Sequence, residues 1–445
     1  MLFFYFQKGM IMREIVKVVV CLCLLVFAVG FFPVQADGQQ FKYGVIERLR
    51  NTYFNNIIDY NSSNNDKQDF FRIRTSVWGQ YTASPNVMLY AKLTNEWRYY
   101  AAHPNPAAEG FDDLSEVFVD NLYAKISGGE ETKLTLTLGR QNIIYGEGFV
   151  MLDGNPLDGS RSIYHNAVKM SVQTGPTTID VFGISNPAKD KIILINDKDQ
   201  GLANLWEQGY GAYVTNTSNP DLKIEGYFIH KREDAGDAIP TLKLNTVGAR
   251  LSRKMKDNFS FASEFAGQFG SQGVDQKGFG GYAYLKYLLS AESKMTLTGG
   301  AYYLSGDDPS TADIEGWNPL FARWPKWSEL YIYSHIAELG ILNGQPLVAY
   351  PTNTFSPYLA FDVDLSRQLN LDAPKKLTFK ATYFYVRANE GRPGKTRGNE
   401  IQALFKFVAH KYVSGHFLFD YFMPGDFYAT DDSGVFIRGD VTISF

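Results

Sequence analysis

The segment 435–445, VFIRGDVTISF, alternates up to its final residue. Val435, Ile437, Gly439, Val441, Ile443 and Phe445 fall on one side of an extended strand. Phe436, Arg438, Asp440, Thr442 and Ser444 fall on the other. Strand side chains alternate with period two, so one face is apolar and the other polar. The pattern recurs along the chain. In 70–81, Phe71, Ile73, Thr75 and Val77 oppose Arg72, Arg74 and Ser76; in 86–97, Val87, Leu89, Ala91 and Leu93 oppose Lys92, Thr94 and Glu96. Segments 133–139, 167–173, 258–269 and 400–407 repeat it. A charge on the lipid side of such a strand costs about 2–4 kcal/mol at mid-membrane. Strands of this kind suit a barrel whose polar faces line a water-filled lumen.

Counting alternating segments predicts about eighteen strands, near 42–51, 69–81, 86–98, 117–127, 132–140, 166–173, 177–185, 208–216, 221–231, 242–253, 258–269, 278–289, 293–304, 353–367, 375–388, 397–408, 412–422 and 434–445. The connections alternate too. Segments 52–68, 99–116, 141–165, 186–207 and 305–352 are long, whereas 82–85, 128–131, 174–176, 217–220 and 409–412 are tight and polar. Outer-membrane barrels pair short periplasmic turns with long extracellular loops and bring both chain ends to the periplasmic rim. The predicted fold is therefore all-β, a single antiparallel transmembrane barrel sealed by its last strand. Aromatic residues, 15% of the chain, supply interfacial girdles. The competing architectures are a secreted sandwich and a propeller. A propeller requires a repeat of about 40–50 residues, which this sequence lacks.

Residues 1–36 read as an export signal, with basic Arg13 and Lys17, an apolar run at 18–32, and cleavage after Ala36. That run is shorter than the ~18 residues a membrane helix needs. Both cysteines, Cys21 and Cys23, fall in it, so the predicted barrel domain, 37–445, has no disulfide framework. Losing Lys8, Arg13, Lys17 and Glu14 takes the formal charge from −4 to −6. That balance argues against nucleic-acid binding.

Lumen-facing charge is uneven. Arg48, Arg50, Arg72, Arg74, Lys92, Arg98, Lys125 and Lys169 gather in the first third of the chain, with Glu96 as their main acid; Asp362, Asp364 and Asp440 come later. Paired arginines at i and i+2 on neighbouring strands build a basic ladder, and such a wall selects anions. Equally, lumen acids can pair with it and make it a rigid support. Both readings stand at this level.

Four stretches, LGRQNIIYGEGFV (138–150), YYLSGDDP (302–309), RWPKWSELYIY (323–333) and YFMPGDFY (421–428), together with the closing strand, resemble the alginate-export outer-membrane porin family. The resemblance runs from about residue 43 to the end. It implies an eighteen-stranded monomeric porin for an anionic solute or a polysaccharide such as alginate, delivered to the barrel-insertion machinery through the strand ending in Phe445. No short connection is long enough for a periplasmic plug, so gating falls to outer segments, foremost 305–352. Trp317, Trp324 and Trp327 there could stack on sugars while Arg323 and Lys326 meet carboxylates; the plainer alternative is a small aromatic core over the pore mouth.

Other motifs carry no chemistry. NDKDQG (196–201) lacks the ligand spacing of a calcium loop, and Asp307, Asp308 and Asp313 read as solvated loop acids, so no metal or cofactor is expected. GFGG (278–281) lies within a strand, which rules out a nucleotide cradle. His165 with Ser160 and Ser162 lacks the constellation of a hydrolase. The function expected is passive passage across the outer membrane, with a general diffusion porin and an outer-membrane hydrolase as alternatives.

Overall fold

A computed structural model describes residues 40–111, 116–152, 164–190, 192–195, 205–236, 239–256, 258–322, 327–330, 351–391 and 394–445. The expected export signal lies outside these residues. The chain forms a closed antiparallel barrel of eighteen strands. In order they are β1 (Gln40–Asn55), β2 (Gln68–Ser84), β3 (Val87–Ala102), β4 (Glu116–Gly128), β5 (Thr132–Gln141), β6 (His165–Thr174), β7 (Thr177–Asn186), β8 (Glu207–Asn219) and β9 (Leu222–Glu233). The second half comprises β10 (Leu242–Lys254), β11 (Phe259–Gln272), β12 (Val274–Ser290), β13 (Met295–Leu304), β14 (Thr354–Asp364), β15 (Lys376–Arg387), β16 (Thr396–His410), β17 (Val413–Pro424) and β18 (Gly434–Ser444). Two short strands, Gly110–Phe111 and Ile193–Ile195, add to β3 and β4 outside this hoop order.

Sequence neighbours pair all the way round, and β1 closes on β18 from Ile46 opposite Ser444 to Asn55 opposite Val435. Phe445 completes the seam: its N–H donates to the Val45 carbonyl at 3.0 Å, and the Val45 N–H donates to the Phe445 carbonyl at 3.3 Å. The alternation sorts side chains as predicted. Leu49, Leu89, Leu134, Val168, Val181, Val247, Phe265 and Ile401 are exposed on the outer surface, while Arg50, Arg74, Glu225, Glu264 and Asp440 are buried on the inner one. Exposed Phe41, Tyr43, Tyr412 and Phe445 form the girdle at the short-turn rim.

One hairpin departs from expectation. Segment 270–277 is strand rather than loop, and β11 and β12 turn at Gly273, where φ is +80°. Beyond the lipid both faces of a hairpin meet water, so the period that marks a lipid-facing strand disappears there. Ile314 from the next loop pairs alongside, accepting from Lys277 N–H and donating to the Asp275 carbonyl, both at 2.8 Å.

Candidate functional site

The basic wall is built by register. Arg48 lies opposite Arg74, and Arg50 opposite Arg72, which in turn faces Arg98 on β3. Like charges directly across a sheet repel, so such a ladder needs interleaved acids or bound anions. Acids are present: Arg48 meets Glu96 at 3.2 Å, Arg50 meets Asp440 at 3.1 Å, and Arg74 lies 3.7 Å from Glu96. Arg72 also stands over the Phe70 ring, and Arg98 donates to the Tyr100 hydroxyl at 3.1 Å.

One acid in this wall escaped the sequence reading. Strict alternation puts Asp120 on the same side as lipid-facing Leu122. A β-bulge shifts the register between Lys92 and Leu93, which face Asn121 and Val119 respectively, and leaves Asp120 as the extra residue. Its carboxylate accepts from Arg74 at 3.3 Å, lies 2.7 Å from Lys92 Nζ, and accepts from the Thr94 hydroxyl at 3.0 Å. Bulges leave no periodic signal, so only a charged residue out of phase hinted at it.

The remaining expected site residues are dispersed. Lys125 and Lys169 line a separate cavity of about 360 Å³ with Tyr90, Tyr123 and Thr137. Asp362 and Asp364 border a second cavity of about 590 Å³ that also holds Lys286, Lys380 and Lys406. Arg323, Trp324 and Lys326 lie outside the described residues, as do Ser160, Ser162 and segment 196–201.

The described parts of two long loops enter the lumen. From 142–152, Tyr145 stacks on Tyr213 at 4.1 Å and donates to Asp180 at 3.0 Å. Glu147 accepts from Arg250 at 2.7 Å and from the Tyr284 hydroxyl at 2.9 Å. From the loop that follows β13, Trp317 stacks on Phe149 at 5.0 Å and Trp327 stacks on Tyr302 at 4.0 Å. The described aromatic residues join the two loops to the inner wall through Tyr282 and Tyr302, and to each other through Phe149 and Trp317. Ser328 then donates to Glu400 at 2.7 Å, and Glu329 pairs with Arg438 at 3.0 Å. The GFGG stretch makes room for this: a Cβ on Gly280 would stand 2.7 Å from the Trp317 indole. Buried His165 meets Phe321 edge-on, and Asp313 pairs with Lys277 at 2.7 Å. Among the described residues no cluster suited to a metal ion occurs.

An eighteen-stranded hoop with lipid-facing apolar residues, a charged lumen and loops folded inward defines an outer-membrane porin or export channel. The alginate export family model matches residues 42–436, and the chain belongs to that family. Its fold is shared with solved structures from Pseudomonas aeruginosa. OccK5 (OpdH) is 14% identical, with a TM-score of 0.56 over 91% of this chain and 98% of that one. OccK2 (OpdF), solved in complex with glucuronate, is 13% identical at a TM-score of 0.54, covering 91% and 98%. OpdK, solved with vanillate, is 9% identical at 0.55, again covering 91% and 98%. No curated protein sequence matches the chain.

Proposed function

We propose that this outer-membrane channel passes organic anions passively, either small carboxylates or an acidic polysaccharide. The carrying observation is the arginine register on β1, β2 and β3, which concentrates positive charge on one lumen wall although the whole chain is acidic. Charges within a Debye length of about 8 Å act together on an ion in the pore. The family description names alginate, and the two ligands in the related folds are both carboxylates. On this reading residues 1–36 are a cleaved export signal, the barrel works as a monomer without catalytic activity, and its C-terminal strand is what the insertion machinery engages.

Reversal potentials in planar bilayers under a salt gradient test the proposal. Wild-type channels should be anion-selective. Arg72→Gln with Arg74→Gln should move selectivity towards cations, most at low salt, where screening is weak. An unchanged reversal potential would leave the wall a support compensated by Glu96, Asp120 and Asp440.

A further inference from the structure

Three lumen-facing rings stand in a row on adjacent strands near the short-turn rim. Trp78 and Tyr90 are near-parallel at 6.1 Å, and Tyr90 and Tyr123 at 5.1 Å. The row has a definite start. Gly44 lies opposite Trp78, and a Cβ on it would come within 2.6 Å of the indole, so β1 contributes no side chain there. It also has a definite end. The residue opposite Tyr123 is Gly139, and beyond it on β6 comes Ala167. Gly139 has φ of +118°, and a Cβ would lie 2.3 Å from the Leu122 carbonyl oxygen. No larger residue is accommodated there, and the Gln141 side chain lies alongside, its Nε2 donating to the Gly139 and Ala167 carbonyls at 3.2 and 3.1 Å.

Beside Tyr123 lies the cavity of about 360 Å³, which Thr137, Gln141 and two lysines also line. Lys125 follows Tyr123 by two residues on the same face, and Thr137 stands between it and Lys169 in register. Lys169 is 3.4 Å from Asp180 and lies over the Tyr145 ring. Lys125 is exposed and has no ion pair among the described residues. A ring face therefore borders a void lined by an uncompensated ammonium. The faces of aromatic rings carry negative charge density that attracts polarised C–H groups, and an ammonium attracts carboxylate.

We infer that Tyr123, Lys125 and the cavity they line with Thr137 and Gln141 form a binding site for a cyclic carboxylate, one sugar-acid or aromatic-acid ring at a time. The inference rests on the anion-channel reading and adds shape to it: a ring stacks on Tyr123 while its carboxylate meets Lys125. An open-chain acid of the same charge gains only the second contact.

Glucuronate and gluconate separate these contacts, since each carries one carboxylate and only the first is a ring. The measurement is the duration of ligand-induced blockades of chloride current through single channels of the full barrel. Glucuronate should block wild-type channels at least several-fold longer than gluconate. Tyr123→Leu, which keeps bulk without a π face, and Tyr123→Ala should bring the two acids within about twofold, whereas Tyr123→Phe should preserve the difference. Lys125→Gln should shorten both blockades. Unaltered open-channel conductance establishes that each variant is folded. Equal blockade of wild type by both acids, or discrimination that survives in Tyr123→Leu, overturns the ring site alone. No blockade by either acid, together with a cation-selective reversal potential, overturns the anion-channel reading and this site with it.

Discussion

Replacing Glu147 with alanine should release the inner loop 142–152 from the barrel wall. Glu147 accepts two hydrogen bonds from the wall, from Arg250 at 2.7 Å and the Tyr284 hydroxyl at 2.9 Å. Hydrogen bonds to charged groups contribute about 1.5–3 kcal/mol each. The full loss is moderated because Arg250 keeps Glu225 at 2.5 Å and the Tyr282 hydroxyl at 3.2 Å, so no buried charge is stranded. A net cost of about 2–3 kcal/mol follows for the docked loop. At 1.4 kcal/mol per decade, that shifts the ratio of docked to undocked loop by roughly 30- to 150-fold. Tyr145 keeps Tyr213 and Asp180, and Phe149 keeps Trp317 and Tyr282, so the loop loosens first at Glu147 between these anchors. Single-channel recording should show a larger mean conductance and more frequent transitions between conductance levels. Glu147→Gln, which can still accept from Tyr284, should fall between the two. Conductance and noise indistinguishable from wild type in Glu147→Ala would refute the role of this ion pair in holding the loop within the pore.

Two further outcomes are expected. Single cysteines at Ser218 or Ala291, exposed at short turns, should resist impermeant thiol reagents on intact cells, while one at Ser310 should react; the opposite labelling would invert the orientation. Gly280→Leu should displace the Trp317 indole and cost about 1–3 kcal/mol by overpacking, read as a lower unfolding temperature and red-shifted tryptophan emission; unchanged emission would mean the loop does not lean on this wall.

What was legible in the sequence follows where a period exists. Strands such as 167–173 and 400–407 must alternate because lipid and water stand on their two sides, and the observed β6 and β16 contain them. The extended hairpin around Gly273 was missed because above the membrane nothing enforces that contrast. Asp120 was missed for a different reason: an added residue resets the phase locally, and only the three-dimensional register reveals it. The loops were recognised as long and aromatic, yet whether Trp317 and Trp327 sit over the mouth or inside it depends on partners far away, Gly280, Tyr282 and Tyr302, which no local pattern connects to them. The individual arginines of the wall were identifiable by spacing, whereas their pairing with Glu96 and Asp440 required the hoop to close.

The seam between β1 and β18 carries an implication for assembly. It joins the two barrel strands most distant in sequence, and the Arg50–Asp440 ion pair spans it with a separation of 390 residues. Closing so long a loop has the largest entropic cost of any pairing in the ladder, so it comes after the local hairpins have formed. Until then both outer strands present bare edges, and Arg50 lacks its acid from β18. Closure thus removes the last unpaired edge and forms the Arg50–Asp440 pair in the same event. The circle is completed by the strand pair with the least help from chain connectivity, and an ion pair on the lumen side stands where that help is missing.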